Sequence, residues 1–191
     1  IYLIKGKAQT NLGDYERALG NFYQVLILGE RAENRHAVAE ALRDIGNIWL
    51  LRGEYTKALE NYQESLELSR DIGDLKGMAK CYMGIAECKR MQGNIKDSLD
   101  TYRAAEKYAL ETKDDVLLAR IYTEIGANYI NLGDFNIAEE ILRKGVDMLD
   151  KAGAQHEKAP ALLMLGTLAY HQGRYNDAIK YYEHCIEIAE V

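Results

Sequence analysis

Proline occurs once in this 191-residue chain, tryptophan once, phenylalanine twice and cysteine three times. With one proline and no serine- or glycine-rich stretch, no linker divides the chain, and a single domain is expected. The cysteines do not make a disulfide framework. Cys81, Cys88 and Cys185 occupy slots that elsewhere hold small or apolar residues, so they read as buried free thiols of a reducing, cytoplasmic compartment. Long apolar runs are missing as well: Ile48–Leu51 and Ala161–Leu165 are far too short to span a bilayer. Positive charge is scarce, since 24 Lys and Arg against 30 Asp and Glu leave a formal net charge of −6. Nucleic acid and anionic membranes are therefore poor partners, because both need basic residues in excess. No alternating β-branched run of convincing length occurs, so more than about three quarters of the residues are expected to be helical. The chain opens at Ile1, not at methionine, and inside a helical pattern; it is expected to be a piece of a longer protein.

What is present is a period. Glycine stands at 13, 53, 93, 133 and 173, forty residues apart each time. Seven residues earlier come Gly6, Gly46, Ala86, Gly126 and Gly166. Two residues later come Tyr15, Tyr55, Ile95, Phe135 and Tyr175. Five later come Ala18, Ala58, Ser98, Ala138 and Ala178, and nine later Phe22, Tyr62, Tyr102, Leu142 and Tyr182. A fixed period of this length marks a tandem array, whose core is a strip shared between neighbouring repeats.

Residues 35–74 show what one unit does. Val38, Ala41, Leu42, Ile45, Ile48 and Trp49 recur at a helical period, and the pattern stops at Arg52-Gly53. Gly53 can take the left-handed conformation that closes a helix. Glu54 and its counterparts Asp14, Asn94, Asp134 and Arg174 follow; the acidic and amide ones suit a helix start. A second apolar period runs through Tyr55, Ala58, Leu59, Tyr62 and Leu66 and ends near Asp71–Asp74. Each unit is thus helix, tight turn, helix, with Gly46 and Ala58 where two helices approach closely and tyrosines filling the space between.

This pattern of Gly46, Trp49, Gly53, Tyr55, Ala58 and Tyr62 resembles the tetratricopeptide repeat family, in five units of about 1–34, 35–74, 75–114, 115–154 and 155–191. The family's usual unit is 34 residues and ends in proline; this one is 40 and lacks that proline. The longer unit resembles arrays of cell-polarity adaptors, kinesin light chains and prokaryotic signalling proteins. The resemblance implies an all-α, right-handed α-solenoid that acts as a non-enzymatic scaffold for protein–protein interaction. It also implies that first helices line a concave groove. Register then places Lys7, Arg43, Asn47, Lys80, Met83, Glu87, Arg90, Arg120, Thr123, Asn131 and Tyr170 along it.

Two readings of that wall stand side by side. Lys7, Arg43, Lys80, Arg90 and Arg120 supply donors for a partly acidic peptide, and Asn47 and Asn131 could clamp its backbone. Alternatively Glu40, Asp44, Glu87 and Glu124 neutralise the bases through i,i+3 or i,i+4 pairs. No phosphate loop, nucleophile elbow, HExxH or CxxC is present, and the four histidines do not converge. No enzyme, cofactor or metal is therefore expected. The alternative function is a peptide-sensing array that controls a fused effector domain in a signalling protein. Tyr181, Cys185 and Ile188 are expected on the uncovered side of the last repeat, where they would support self-association.

Overall fold

The computed structural model describes residues 1–189. The chain is an all-α solenoid of helix-turn-helix repeats, 86% helical, with ten α-helices and no strand among the described residues. They are α1 (Tyr2–Asn11), α2 (Tyr15–Arg31), α3 (Arg35–Leu51), α4 (Tyr55–Asp71), α5 (Leu75–Met91), α6 (Ile95–Thr112), α7 (Asp115–Leu132), α8 (Phe135–Ala152), α9 (Ala159–His171) and α10 (Tyr175–Ala189). A short 3₁₀ turn, His156–Lys158, precedes α9. None of these helices is long and apolar enough to cross a membrane. Contacts gather into two compact units, Ile1–Tyr108 and Ala109–Val191. The division falls inside α6 and not in a linker.

The turns explain the forty-residue glycines. Gly13, Gly53, Gly93, Gly133 and Gly173 all have positive φ. At one of them, Gly53 N–H bonds to the Leu50 carbonyl at 3.0 Å and Glu54 N–H reaches back to the Trp49 carbonyl at 2.9 Å. That pair of bonds satisfies carbonyls the helix end would leave orphaned. A second series of turns links one repeat to the next, and there the left-handed position is held by Glu33, Gly73, Lys113 and Gly153 in turn. The repeat thus tolerates a side chain at two of four places where L-residues are strained.

Helix starts divide in a way the sequence pattern did not separate. Three of the four caps between repeats work: Asn34 accepts from Ala37 N–H at 3.0 Å, Asp74 from Gly77 N–H at 2.8 Å, and Asp114 from Leu117 N–H at 2.9 Å, while Gln155 and Lys158 before α9 cap nothing with their side chains. Within repeats, Asp14 accepts from Arg17 N–H at 3.4 Å, but Glu54 and Asp134 cap nothing with their side chains. Glu54 instead lies 3.5 Å from Lys57, the reach of its longer side chain.

The helices of four of the five hairpins meet where glycine faces bulk, and in the third Ala86 takes that place. A Cβ on Gly6 would stand 2.5 Å from the Phe22 ring, on Gly46 2.9 Å from Tyr62, on Gly126 2.5 Å from Leu142, and on Gly166 2.4 Å from Tyr182. In the first unit Phe22 packs with Ala18, Leu19, Ile45 and Ile48, while Tyr62 packs with Leu66, Met78, Cys81, Ile85 and Cys88. In the second unit Leu142, Leu162, Leu165 and Leu168 form the core. First helices also touch one another in order: α1 on α3 and α3 on α5 in the first unit, α7 on α9 in the second.

All three cysteines are free. Cys81 and Cys88 are buried, and burial pushes both thiols up, Cys88 to about 11. Cys185 is half-buried and its thiol donates to the Ala159 carbonyl at 3.3 Å. Along α10 the stripe Tyr181, Cys185 and Ile188 turns toward the core formed with α8 and α9. The exposed apolar side chains of that helix are instead Tyr175, Ile179 and Ile186. The expectation for that face is therefore corrected: spacing by four and three keeps 181, 185 and 188 on the inward stripe.

Two substitutions test these packing and turn arguments. Gly46→Ala should destabilise the chain by about 1–3 kcal/mol, because the buried Tyr62 ring must give way. Glu33→Gly should stabilise it by about 0.5–1 kcal/mol, relieving left-handed strain less the entropy glycine adds to the unfolded chain. Urea unfolding of each variant reads both.

Candidate functional site

A polar cluster of the first unit lies where α1 meets α3. Glu40, Arg43, Asp44 and Asn47 are spaced by three and four, which puts them on one face of α3. Lys7 of α1 reaches that face, donating to Glu40 Oε1 at 2.6 Å and lying 3.5 Å from Asp44 Oδ2. Arg43, 9% exposed, stands 3.8 Å from Glu40. Asp44, 8% exposed, has one carboxylate oxygen without a hydrogen bond; its approach to Lys7 is ionic only.

The electrostatics follow from burial against neighbouring charge. Burial pushes the Asp44 carboxyl up, and Lys7 and Arg43 recover only part of that. Burial also works against the Glu40 carboxylate, yet the hydrogen bond and charge of Lys7 outweigh it and hold Glu40 below its usual range. Lys7 is desolvated too, but its bond to Glu40 and the charges of Asp44 and Glu40 hold it above the usual lysine range.

Tyr62 supports this surface from beneath. Its ring is fully buried between α3 and α5, against Gly46 and also Gly84, where a Cβ would stand 2.4 Å from the ring. Its hydroxyl emerges to donate to Asn47 Oδ1 at 2.7 Å. Asn47 Nδ2 makes one long contact, 3.5 Å to Asp44 Oδ1. The next repeat repeats the device: Tyr102 donates to Glu87 Oε2 at 3.3 Å, fifteen residues apart as before. Glu87 in turn accepts both arms of the Arg90 guanidinium, at 2.7 and 2.5 Å. The tyrosine column is readable in sequence as packing; its hydroxyl link to the first helix is not. A signal existed in Gly84, which breaks its own column of Asp44, Glu124 and Met164.

The expected residues are therefore distributed as follows. Lys7, Arg43 and Asn47 come together in one network with Glu40 and Asp44. Lys80 shares a small cleft with Arg43. Glu87 and Arg90 pair on α5, and Met83 is half-buried on the same helix. In the second unit, Arg120 and Asn131 are exposed on α7, whereas Thr123 is buried with its hydroxyl donating to the Ala119 carbonyl at 3.0 Å. Tyr170 of α9 is 59% exposed and meets His171 and Tyr175 edge-on. Lys7, Arg43 and Arg90 thus lie against carboxylates of the chain itself, giving a surface of paired charges.

Titration should separate the two acids. The folded-state pKa of Glu40 lies below its unfolded value, so its contribution is complete above the ordinary glutamate range and is lost as pH falls through the folded value. Glu40→Gln should cost about 1 kcal/mol or less at neutral pH, since water screens the half-exposed Lys7, and should match the wild type only once pH has fallen through the lowered folded-state value. Asp44 runs the other way: its contribution is present below the unfolded pKa and lost as pH rises through the raised one. Asp44→Asn should therefore gain on the wild type as pH rises. Urea unfolding across pH checks both signs.

No curated protein matches this chain at a significant level. Solved structures do. A Rap protein complexed with Competence and Sporulation Factor is 16% identical with a TM-score of 0.87, covering 99% of this chain and 53% of its own. The Rap conjugation gene regulator of plasmid pLS20, in complex with the Phr* peptide, is 17% identical with a TM-score of 0.80 and coverages of 99% and 52%. Aspartyl phosphate phosphatase F from Bacillus subtilis is 12% identical with a TM-score of 0.78 and coverages of 100% and 59%. The chain spans about half the length of these structures, and at such identity the likeness is one of fold. Residues 26–190 match the profile of the MalT-like TPR region, and the chain belongs to that tetratricopeptide-type family.

Proposed function

We propose that this chain is a non-enzymatic interaction module that holds an extended peptide, or such a segment of a partner protein, along the first helices of its repeats. The observation that carries this is the orientation of Asn47. Its Oδ1 is taken by the Tyr62 hydroxyl, so its Nδ2 is aimed as a donor, with one long internal contact to give up. A fixed amide donor on an exposed helix face suits a peptide carbonyl, and fixing it in advance lowers the entropy cost of binding. Lys7, Arg43, Lys80, Met83, Glu87 and Arg90 are the proposed neighbours of that contact in the first unit, offering both signs of charge to a partly acidic peptide. Arg120, Asn131 and Tyr170 are the proposed set in the second unit, with Thr123 supporting them from the interior. The reading places the protein in the cytoplasm, where its thiols stay reduced. Self-association through α10 is a lesser part of it, carried by Ile179 and Ile186.

A second reading is favoured by the likeness to a gene regulator solved with a peptide. On it, the array senses a peptide and shifts an effector domain of the same protein. Both readings predict peptide binding. Short peptides selected by display against the wild-type chain should bind roughly tenfold more weakly to Asn47→Leu, as fluorescence anisotropy would report, with circular dichroism confirming that the variant still folds without the Tyr62 bond. Equal binding by the variant would move the site off α3. Hydrolysis of an acyl phosphate by the isolated chain would overturn the non-enzymatic assignment.

A further inference from the structure

The outer face of α2 departs from the repeat. Gly20, Tyr23 and Ile27 follow Glu16 by four, seven and eleven residues, on one exposed stripe of that helix. At the Gly20 column the later repeats carry Glu60, Asp100, Glu140 and Lys180. The Tyr23 column carries Gln63, Arg103, Arg143 and Glu183, and the Ile27 column Glu67, Lys107, Asp147 and Glu187. Four repeats are polar on this face and the first is apolar, with Tyr23 46% and Ile27 42% exposed. Gly20 has no steric reason within the chain: a Cβ there would meet nothing within 4 Å, and its backbone is not left-handed. Glycine inside a helix costs stability, and what it offers on an exposed face is room for another backbone.

A second wall lies beside this stripe, on α4. Trp49 of α3 packs against both the Phe22 cluster and the Tyr62 cluster. Arg52 stands 5.2 Å from the Trp49 ring centre and reaches Glu16 of α2 at 2.7 Å, while Lys57 of α4 lies 4.6 Å from the same ring. At the other ends Arg35, just past α2, lies 3.5 Å from Asp71 of α4. The two helices therefore run side by side within the first unit. Glu60, Glu64 and Glu67 follow Lys57 by three, seven and ten residues, all exposed and in no ion pair among the described residues. Lys57 itself is taken up by Trp49 and by Glu54 at 3.5 Å. Arg31, one turn beyond Ile27, is the single base on the two stripes without a partner among the described residues. The furrow thus has one apolar wall and one wall of uncompensated negative charge.

We propose that the furrow between α2 and α4 docks an amphipathic helix of a partner protein. Its apolar side lies on Tyr23 and Ile27, its backbone comes close at Gly20, and a flank of lysine or arginine faces Glu60, Glu64 and Glu67. The same acids disfavour nucleic acid and anionic membrane on this face. The site is on second helices, apart from the first-helix wall proposed for an extended peptide, and neither depends on the other. To test it, the full chain, labelled with ¹⁵N, is titrated with two alanine-based helical peptides. Both carry one leucine stripe; one is flanked by lysines and the other by glutamates.

The amides of Gly20, Tyr23, Ile27 and Glu64 should shift saturably with the lysine-flanked helix, which should bind roughly tenfold more tightly than the glutamate-flanked one. Tyr23→Arg with Ile27→Lys installs the residues that the third repeat carries at Arg103 and Lys107. That variant should keep its fold by circular dichroism and bind at least roughly tenfold more weakly. Gly20→Gln should raise the melting temperature and yet weaken binding, opposite signs that a purely structural glycine would not give. Glu64→Gln with Glu67→Gln should weaken binding and flatten its salt dependence. Shifts centred on another face, equal binding of the two helices, or unchanged binding by the Tyr23→Arg, Ile27→Lys variant would overturn the proposal. So would shifts at Gly20 and Tyr23 that appear on concentrating the chain alone, since the occupant would then be a second copy.

Discussion

Four of the five hairpins of this protein turn on a bulky side chain of the second helix pressed against a missing side chain of the first. Phe22 on Gly6, Tyr62 on Gly46, Leu142 on Gly126 and Tyr182 on Gly166 leave no room for even a methyl group. That contact sets how closely the two helices approach, and so which residues of each helix turn inward. Neither helix of a unit is long enough to be securely stable alone, so the hairpin and its neighbours form together. The third repeat keeps the arrangement with Ala86 opposite the column of Tyr102; both are fully buried.

The same contact organises the candidate surface. Because Tyr62 is trapped between Gly46 and Gly84, its hydroxyl has one exit, and that exit is Asn47. Tyr102 does the same for Glu87. Packing thereby becomes orientation of polar groups on first helices. For Asp44, burial outweighs the nearby charges of Lys7 and Arg43, which is why its carboxyl is raised.

Much of this was legible beforehand. The forty-residue glycines, the small column at Gly46 and Ala58 and the aromatic column at Tyr62 were enough to place the repeats and their hairpins, because each reports a steric requirement that returns in every unit. The alternative in which carboxylates neutralise the wall was visible in the i,i+3 spacing of Glu40 with Arg43 and of Glu87 with Arg90. Three features were not legible. Lys7 and Glu40 are 33 residues apart, and no local pattern brings them together. Glu54 has the right charge for a cap but the wrong length, so it turns to Lys57. On α10 a stripe read as uncovered faces inward, because helical phase relative to α9 depends on packing.

By itself, then, the sequence determined the repeat, its helical content and the close approach within each hairpin. Those depend on backbone conformations and volumes that recur every forty residues. Tertiary structure alone decided which side chains of the first helices meet, how Tyr62 aims Asn47, and that Arg43 and Lys80 border one cleft. Such details depend on rotamers and on contacts between helices distant in sequence, and a periodic pattern averages over both.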